Sequence, residues 1–365
     1  MQKSEWYGGI LNLSAALYRY YGLEAGRESD PDLSLWLETN RFRCVTVLLL
    51  DGLGTSILEK AASENSWFRS HMHKSVTTVF PPTTTAATTS FLTGRSPKEN
   101  AWLGWNQYFR EKDDQIILFR EMSQYTPAVY PGFVQKALPV KWIMDALKEK
   151  GIKADSVWPA FGTSHPSRTF EEFCDNVLSV SSDPDTRFVY GYWDNPDDWL
   201  HEHGPSDPKL PALITEMENA VRQLAERLPK DTGLLIIADH SQVDVEHYAL
   251  DQDPEICECL ALRPSLEPRA ASFFIREGKK EQFEKLFRER FKDSFLLLSH
   301  DEVISSNLFG SGRAHERFEE FIGDYLAIAL TPVQFDYLKG GDMRGNHAGG
   351  MEEEALIPLI LDPRL

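Results

Sequence analysis

The sequence has few cysteines and a deficit of positive charge. Four cysteines in 365 residues are too few for the disulfide framework of a small secreted domain, so we expect them to be reduced. Lys and Arg number 38 against 56 Asp and Glu, which gives a formal net charge of -18. A surface of this sign repels nucleic-acid phosphates and anionic lipid headgroups. The charge therefore argues against nucleic acid and membranes as partners.

Long apolar runs are also absent. No segment reaches the roughly 20 apolar residues that a membrane-spanning helix needs, and residues 1–22 lack the apolar centre of a secretory signal. We therefore expect a cytoplasmic protein. Hydrophobic residues make up 42% of the chain, which is enough for a sizeable core.

Short apolar runs are present, and three of them end in a polar cluster. The runs are residues 45–50 (VTVLLL), 187–193 (RFVYGYW), 234–238 (LLIIA) and 355–361 (ALIPLIL). Continuous apolar runs predict strands that are buried on both faces, whereas residues 210–228 have the apolar spacing of a helix. Alternating strands and helices predict a doubly wound α/β fold, whose sites form beyond the carboxyl ends of the strands.

Residues 255–336 have a different character. They include a charged helical pattern at 279–291 and contain none of the candidate site residues described below. We predict an inserted α+β cap or lid subdomain here. The metal-binding catalytic core would then consist of residues 1–254 and 337–365.

Six candidate metal ligands lie in four separate clusters. They are Asp51 after the first run, Asp197 and His201 in PDDWLHEHGP, Asp239 and His240 after the third run, and His347 in GNHAGG. Each cluster alone has a simpler interpretation as a turn, a cap or a hydrogen-bonding group. Together, three carboxylates and three imidazoles suit zinc or manganese better than magnesium or calcium. Two such ions about 4 Å apart can hold the attacking and leaving oxygens of a phosphoryl transfer.

A candidate nucleophile lies in the segment KSVTTVFPPTTTAATTSFLTG. An apolar run, a Pro-Pro turn and a stretch of small residues have the layout of a strand followed by the N-terminus of a helix. Amide groups at a helix N-terminus attract anions such as phosphate. Thr83, Thr84 and Thr85 all lie at this point, and periodicity does not choose between them.

These motifs resemble the alkaline phosphatase superfamily, in particular its phosphodiesterase/nucleotide pyrophosphatase branch. The resemblance rests on LLLDGLG, FPPTTTAATTSFLTGRSP, NPDDWLHEHGP, IIADH and GNHAGGMEEEALIPLI. It implies a three-layer sandwich in which a largely parallel sheet lies between helical layers. It also selects Thr84 as the nucleophile, because Thr84 stands ten residues before Gly94 of the Thr-Gly motif.

The resemblance further implies two divalent metal ions, zinc in the first place and manganese as the alternative. One ion would be held by Asp51, Asp239, His240 and the Thr84 oxygen, and the other by Asp197, His201 and His347. The implied activity is hydrolysis of a small phosphate ester through a covalent threonine intermediate, with phosphodiester or pyrophosphate substrates favoured. The alternatives are a phosphomonoesterase or phosphomutase of the same superfamily, and a non-catalytic protein that binds an anion or a metal.

Overall fold

The computed structural model describes residues 8–337 and 342–362. Its strands, in chain order, are β1 (Cys44–Leu50), β2 (Met72–Thr77), β3 (Asn106–Phe109), β4 (Asp114–Ile117), β5 (Met122–Ser123), β6 (Ala154–Pro159), β7 (Pro166–Ser167), β8 (Phe188–Trp193), β9 (Thr232–Ile237), β10 (Val243–Asp244), β11 (Glu246–Ala249), β12 (Ser265–Leu266), β13 (Ala270–Phe273), β14 (Phe295–Ser299), β15 (Tyr325–Ala329), β16 (Val333–Asp336), β17 (Gly345–Asn346) and β18 (Leu356–Leu361). Its α-helices are α1 (Gly9–Tyr20), α2 (Pro31–Asn40), α3 (Thr55–Ala61), α4 (Trp67–His71), α5 (Thr84–Thr93), α6 (Pro97–Asn100), α7 (Phe133–Ala137), α8 (Ile143–Glu149), α9 (Phe170–Ser182), α10 (Asp197–His203), α11 (Leu210–Arg227), α12 (Pro254–Cys259), α13 (Lys280–Phe291), α14 (His300–Ser305) and α15 (Glu352–Ala355). None of the described helices is long and apolar enough to cross a membrane.

The predicted, largely parallel sheet is present. Among the described residues it has seven strands in the order β2-β18-β9-β1-β8-β6-β7. β1 pairs in parallel with both β8 and β9, whereas β18 runs antiparallel to β2 and β9. All residues of β1 are buried. Because successive side chains of a strand point to opposite faces, both faces of the sheet are covered. We call this sheet the core sheet.

Amphipathic helices supply that cover. On α11 the buried residues recur every three or four positions, as expected of a helix with one apolar face; they include Leu210, Ile214, Met217, Val221 and Leu224. Burial of each such side chain contributes about 1.5–3 kcal/mol relative to leaving it in water. The predicted fold class, a mixed α/β structure with a largely parallel central sheet between helices, is confirmed.

A second sheet is antiparallel and has the strand order β14-β15-β13-β12-β3-β4-β5 in the described part of the chain. Helix α13 packs on it through phenylalanines spaced four residues apart. The rings of Phe283 and Phe287 lie 5.2 and 5.8 Å from the ring of Phe273 on β13. The predicted charged helix at 279–291 is therefore present, and its apolar face fixes it to the second sheet.

The pairing of three early strands bears on the predicted inserted subdomain. β3, β4 and β5 lie within the segment predicted as core, yet they pair with one another and, through β12, with the second sheet. No local sequence pattern marks this pairing, because Leu266 of β12 pairs with Asn106 of β3, far earlier in the chain. The division into 1–254, 255–336 and 337–365 as separate units stays a prediction, and positions 338–341 and 363–365 of it lie outside the described residues.

Candidate metal centre

The candidate site lies at the carboxyl ends of three neighbouring strands of the core sheet. Asp51 directly follows β1, Asp239 lies two residues beyond β9, and Asp197 begins α10 after β8. Because β1 pairs in parallel with β8 and β9, these ends meet at one edge of the sheet. Backbone groups fix the loops there: the N–H of Asp197 donates to the carbonyl oxygen of Asp51 at 3.0 Å.

The first group of candidate ligands consists of Asp51, Asp239 and His240, whose donor atoms lie within 4.8 Å of one another. His240 Nε2 is 3.3 Å from Asp51 Oδ1 and 3.5 Å from Asp239 Oδ2. All three side chains are buried. Asp239 Oδ2 has no hydrogen-bond partner among the described residues. A buried carboxylate oxygen without a donor is costly, and a cation beside it removes that cost.

The second group consists of Asp197, His201 and His347, again with donor atoms within 4.8 Å of one another. Asp197 and His201 lie one turn apart on α10, and His201 Nε2 is 3.2 Å from Asp197 Oδ2. His347 Nε2 is 3.9 Å from Asp197 Oδ1. One carboxylate and two imidazoles are a donor set that suits zinc and leaves a position open for a substrate oxygen.

The three histidines direct the same ring atom, Nε2, toward the candidate metal centre. Each Nδ1 contacts a backbone carbonyl oxygen: His201 that of Gly345 at 2.9 Å, His240 that of Ser241 at 3.2 Å and His347 that of Pro82 at 3.0 Å. A carbonyl oxygen only accepts, so the neutral ring carries its proton on Nδ1 and keeps a lone pair on Nε2. Hydrogen bonds of this kind orient the histidine ligands of metal sites.

The two groups adjoin. His240 Nε2 is 3.8 Å from Asp197 Oδ1, and the rings of His240 and His347 stack with their centroids 3.8 Å apart. Six predicted ligand residues thus lie in two neighbouring groups, in the division that the family resemblance implied. Their role as ligands stays a prediction.

The charges of the site support a cationic occupant. Burial, followed by the charges of Asp239 and Asp197, raises the pKa of Asp51 well above its usual range. Burial lowers the pKa of His240, but Asp239, Asp51 and Asp197 raise it to about 10. The donor set and the charge balance both fit divalent ions.

Thr84 is the threonine that faces this cluster. It is the first residue of α5, and its Oγ1 lies 3.2 Å from Asp51 Oδ2 and 3.1 Å from His240 Nε2. The hydroxyl of Thr83 instead donates to Glu267, and that of Thr85 is buried without a hydrogen-bond partner in the described structure. The geometry therefore separates three residues that the sequence pattern alone left equivalent.

Sequence reasoning missed two residues that hold the carboxylates. The hydroxyl of Tyr192 donates to Asp51 Oδ2, and Gln242 Nε2 donates to Asp197 Oδ1 at 2.5 Å. Burial, followed by the charges of Asp51 and Asp239, raises the pKa of Tyr192 well above its usual range, so it stays a donor. In the sequence, the only sign of a role was closeness to predicted site residues. Tyr192 lies near the end of β8, and Gln242 follows the Asp-His pair.

Solved structures with the same fold bind small phosphorus compounds. The murine ectonucleotide pyrophosphatase/phosphodiesterase 5, an inactive threonine-to-alanine variant in complex with AMP, has a TM-score of 0.67 at 16% identity and covers 87% of each chain. The phosphonoacetate hydrolase of Sinorhizobium meliloti 1021, in complex with phosphonoformate, has a TM-score of 0.66 at 12% identity and covers 89% of this chain and 92% of that one. Identities this low show a shared fold.

Curated relatives match a shorter stretch. The bis(5'-adenosyl)-triphosphatase ENPP4 of Bos taurus is 26% identical over 130 residues, which are 30% of this chain and 28% of the relative. The catalytic subunit of GPI ethanolamine phosphate transferase 3 of Mus musculus is 31% identical over 74 residues, or 19% of this chain and 7% of the relative. The chain thus matches less than a third of the length of these relatives.

The family comparison covers more of the chain. The profile of type I phosphodiesterase/nucleotide pyrophosphatase matches residues 45–258, which include Asp51, Thr84, α10 and the Asp239-His240 pair. Together with the shared fold, this match confirms the resemblance to the alkaline phosphatase superfamily. This chain belongs to the type I phosphodiesterase/nucleotide pyrophosphatase family.

Proposed function

We propose that this protein hydrolyses a phosphodiester or pyrophosphate linkage in a small substrate, with Thr84 as the nucleophile. The observation that carries the proposal is the position of the Thr84 hydroxyl. It lies at the N-terminus of α5, 3.1 to 3.3 Å from donor atoms of Asp51 and His240. A hydroxyl among candidate metal ligands and beside free helix amide groups has the surroundings that phosphoryl transfer needs.

Two divalent ions complete the proposed site. Asp51, Asp239 and His240 would hold one of them together with the Thr84 oxygen. The second would be held by the other group of ligands, Asp197, His201 and His347. When bound, the ions supply the positive charge that an anionic substrate requires on a chain with a net charge of -18. Nitrogen and oxygen donors in these proportions favour zinc, with manganese as the alternative.

The chain's own groups have distinct tasks in the proposed reaction. Thr84 Oγ1 loses its proton and attacks the phosphorus atom, the bond to the leaving oxygen breaks and that oxygen takes up a proton, and an ester between Thr84 and the phosphoryl group forms. Water then cleaves that ester, which releases the phosphoryl product and restores the hydroxyl. Asp51, 3.2 Å from Oγ1, orients the hydroxyl proton away from the incoming phosphorus. The first N–H groups of α5 have no partners within the helix and face the anionic oxygens.

The named ligands of the structural neighbours support a small substrate. AMP is bound to the murine protein, and phosphonoformate to the bacterial one. The inactive murine variant also carries alanine in place of a threonine, which agrees with a threonine nucleophile here. The acidic composition argues against a polynucleotide substrate.

The test is turnover of two chromogenic esters by zinc-loaded protein. We expect faster release of nitrophenolate from bis-p-nitrophenyl phosphate than from p-nitrophenyl phosphate, and loss of both activities after chelation. Release of inorganic phosphate from the monoester at the higher rate would favour the phosphomonoesterase alternative. Absence of turnover of either ester at any divalent metal tested would overturn the proposal.

A further inference from the structure

Two buried side chains of opposite charge lie on the turn between β12 and β13. This turn lies between the second sheet and the candidate site. Glu267 is 6% exposed and Arg269 is fully buried. Charged groups are rarely buried unless specific partners compensate them. The two side chains contact different parts of the site.

Glu267 contacts the segment that carries the nucleophile. Its Oε1 accepts a hydrogen bond from the hydroxyl of Thr83 at 2.6 Å and another from the N–H of Trp105 at 2.6 Å. Thr83 is the N-cap residue of α5 and directly precedes Thr84. One carboxylate oxygen therefore connects the start of the nucleophile helix to the segment that leads into β3.

The backbone beside Glu267 is held in an unfavourable conformation. Leu266 has a φ of 74°, in the left-handed region that a leucine rarely adopts. Such conformations persist where the surrounding structure fixes them, and they concentrate at functional sites. Burial also raises the pKa of Glu267 to about 7.

Arg269 contacts the segment that follows His347. It makes two parallel hydrogen bonds to Glu354, at 2.8 and 2.9 Å. Its Nη1 also donates to the carbonyl oxygens of Thr331 and Val333 at 3.1 and 2.7 Å. The guanidinium group thus contacts both Glu354 and the backbone between the end of β15 and the start of β16, and its planar fork matches the carboxylate.

Glu354 in turn makes hydrogen bonds to the backbone close to one histidine of each ligand group. Its carboxylate accepts the N–H of Gly349 at 2.7 Å, two residues after His347. Its backbone carbonyl accepts the N–H of Ser241 at 2.9 Å, one residue after His240. The Arg269–Glu354 pair therefore lies behind one histidine of each group.

The loop after His347 fits this pair closely. A Cβ atom on Gly349 would lie 2.7 Å from both Arg269 Nη2 and Glu354 Oε2, so only glycine is tolerated without a shift. Ala348, between His347 and Gly349, has a φ of 80°. The ion pair thus holds a strained backbone directly beside a candidate ligand.

We infer that the turn formed by Glu267, Pro268 and Arg269 is a positioning element of the site, which orients Thr84 through Thr83 and His347 through Glu354 and Gly349. This inference rests on the proposed function for the roles of Thr84 and His347. Neither charged side chain of the turn contacts a predicted metal ligand directly. The second sheet, which contributes no predicted ligand, would then set the geometry of both the nucleophile and the metal centre.

The first experiment concerns Arg269 and measures zinc affinity by competition with a fluorescent chelator. Because removing only one charge leaves the other buried and unpaired, the double variant R269M/E354Q is made together with R269K, which keeps the charge but loses the planar fork. Of the two zinc ions, we expect each folded variant to bind the more weakly held one about 10- to 100-fold less tightly than the wild type does. A loss of this size is usual when groups that orient metal ligands are removed. Arg317→Met is the control, since Arg317 pairs with Glu111 in the turn between β3 and β4.

The second experiment concerns Glu267 and separates kcat from KM. Glu267→Ala removes the acceptor for Thr83, and a displacement of the nucleophile should lower kcat about 10- to 100-fold with little change in KM. Glu267→Gln keeps an acceptor oxygen and should restore most of the rate. Glu121→Gln is the matched control, because Glu121 likewise accepts backbone N–H groups, those of Gly132, Val134 and Gln135.

The outcomes distinguish this inference from the proposed function. If wild-type protein binds zinc but turns over no ester, the proposed function fails, while weaker zinc binding by R269K and the double variant still supports positioning of the metal centre. Wild-type zinc affinity in folded R269K, or equal kcat in Glu267→Ala and Glu121→Gln, would overturn the inference. A purely structural role predicts loss of stability in all these variants without the rescue by glutamine.

Discussion

The two sheets of this protein differ in what they contribute to the candidate site. The core sheet is largely parallel, and the carboxyl ends of β1, β8 and β9 supply the donor atoms. The second sheet is antiparallel and supplies no predicted ligand among the described residues, but one of its turns contacts the segments around Thr84 and His347. Parallel strands bring reactive groups together at one edge, whereas the antiparallel sheet holds the adjoining loops in place.

The candidate metal site and the Arg269–Glu354 pair differ in their charge balance. Asp51, Asp197 and Asp239 are buried together beside the core sheet and need cations. In contrast, the carboxylate of Glu354 is paired with Arg269 at 2.8 Å, with both side chains fully buried. A buried pair that compensates itself fixes geometry, whereas an uncompensated group of carboxylates creates a site for metal ions. This difference between groups that would bind metal ions and groups that fix geometry can be tested by substitutions, which follow in order of decreasing effect on turnover.

The largest effect is expected at the nucleophile. Thr84→Ala removes the hydroxyl that would form the covalent intermediate, and we expect kcat to fall about 10³-fold or more. Thr85→Val is the control, because the Thr85 hydroxyl is buried and makes no hydrogen bond in the described structure. Steady-state kinetics with bis-p-nitrophenyl phosphate measures both. Similar rates for the two variants would move the nucleophile to another residue.

A somewhat smaller effect is expected at the ligands. His201→Ala should weaken binding of one zinc ion about 100-fold or more and reduce turnover accordingly, because an imidazole donor is lost. His203→Ala is the control on the same helix, since His203 lies against Trp199 with ring centroids 4.5 Å apart. Zinc titration monitored by calorimetry separates the variants. Equal affinities would contradict the assignment of His201.

A moderate effect is expected at Tyr192. Tyr192→Phe removes the hydrogen bond to Asp51, and we expect about a 10-fold loss of activity, at the lower limit for groups that orient metal ligands. Tyr190→Phe is the control on the same strand, because the Tyr190 hydroxyl is buried without a hydrogen-bond partner among the described residues. We expect the control to keep its activity. A greater loss in the Tyr190 variant would show that this region responds to any change in packing.

The smallest effect on turnover is expected in the apolar part of the second sheet. Phe287→Ala removes a fully buried ring from α13 and should lower the free energy of unfolding by about 3–5 kcal/mol. In the fraction that stays folded, kcat and zinc affinity should match those of the wild type, because the positioning contacts lie on the β12–β13 turn. Denaturant unfolding and kinetics below the transition measure the two quantities. A parallel loss of kcat would mean that the whole second sheet acts on the site.

Much of the core could be predicted from the sequence, because patterns of neighbouring residues indicate its strands and helices. The apolar runs at 45–50 and 187–193 became β1 and β8 to within one residue, and the run at 234–238 became β9. Asp51 and Asp239 follow such runs directly, so the parallel topology was enough to bring them together. Asp197 and His201 needed only helical spacing. A cytoplasmic location stays a prediction.

The second sheet could not be predicted in the same way because its contacts are between distant segments. The strands β3 to β5 join a sheet whose other strands lie at 265–329, and no local pattern marks that pairing. No local pattern distinguishes Glu267 and Arg269 from other charged residues of the sequence. Their burial becomes visible only when Thr83 and Glu354, 184 and 85 residues away, are placed beside them.

The most direct test of the central claim is the number of zinc ions that the wild-type chain retains after equilibrium dialysis at micromolar free zinc, measured by mass spectrometry of the metal. The paired ligand groups around Thr84 predict two ions per chain. Retention of none or only one would contradict a two-metal site built from Asp51, Asp197, His201, Asp239, His240 and His347.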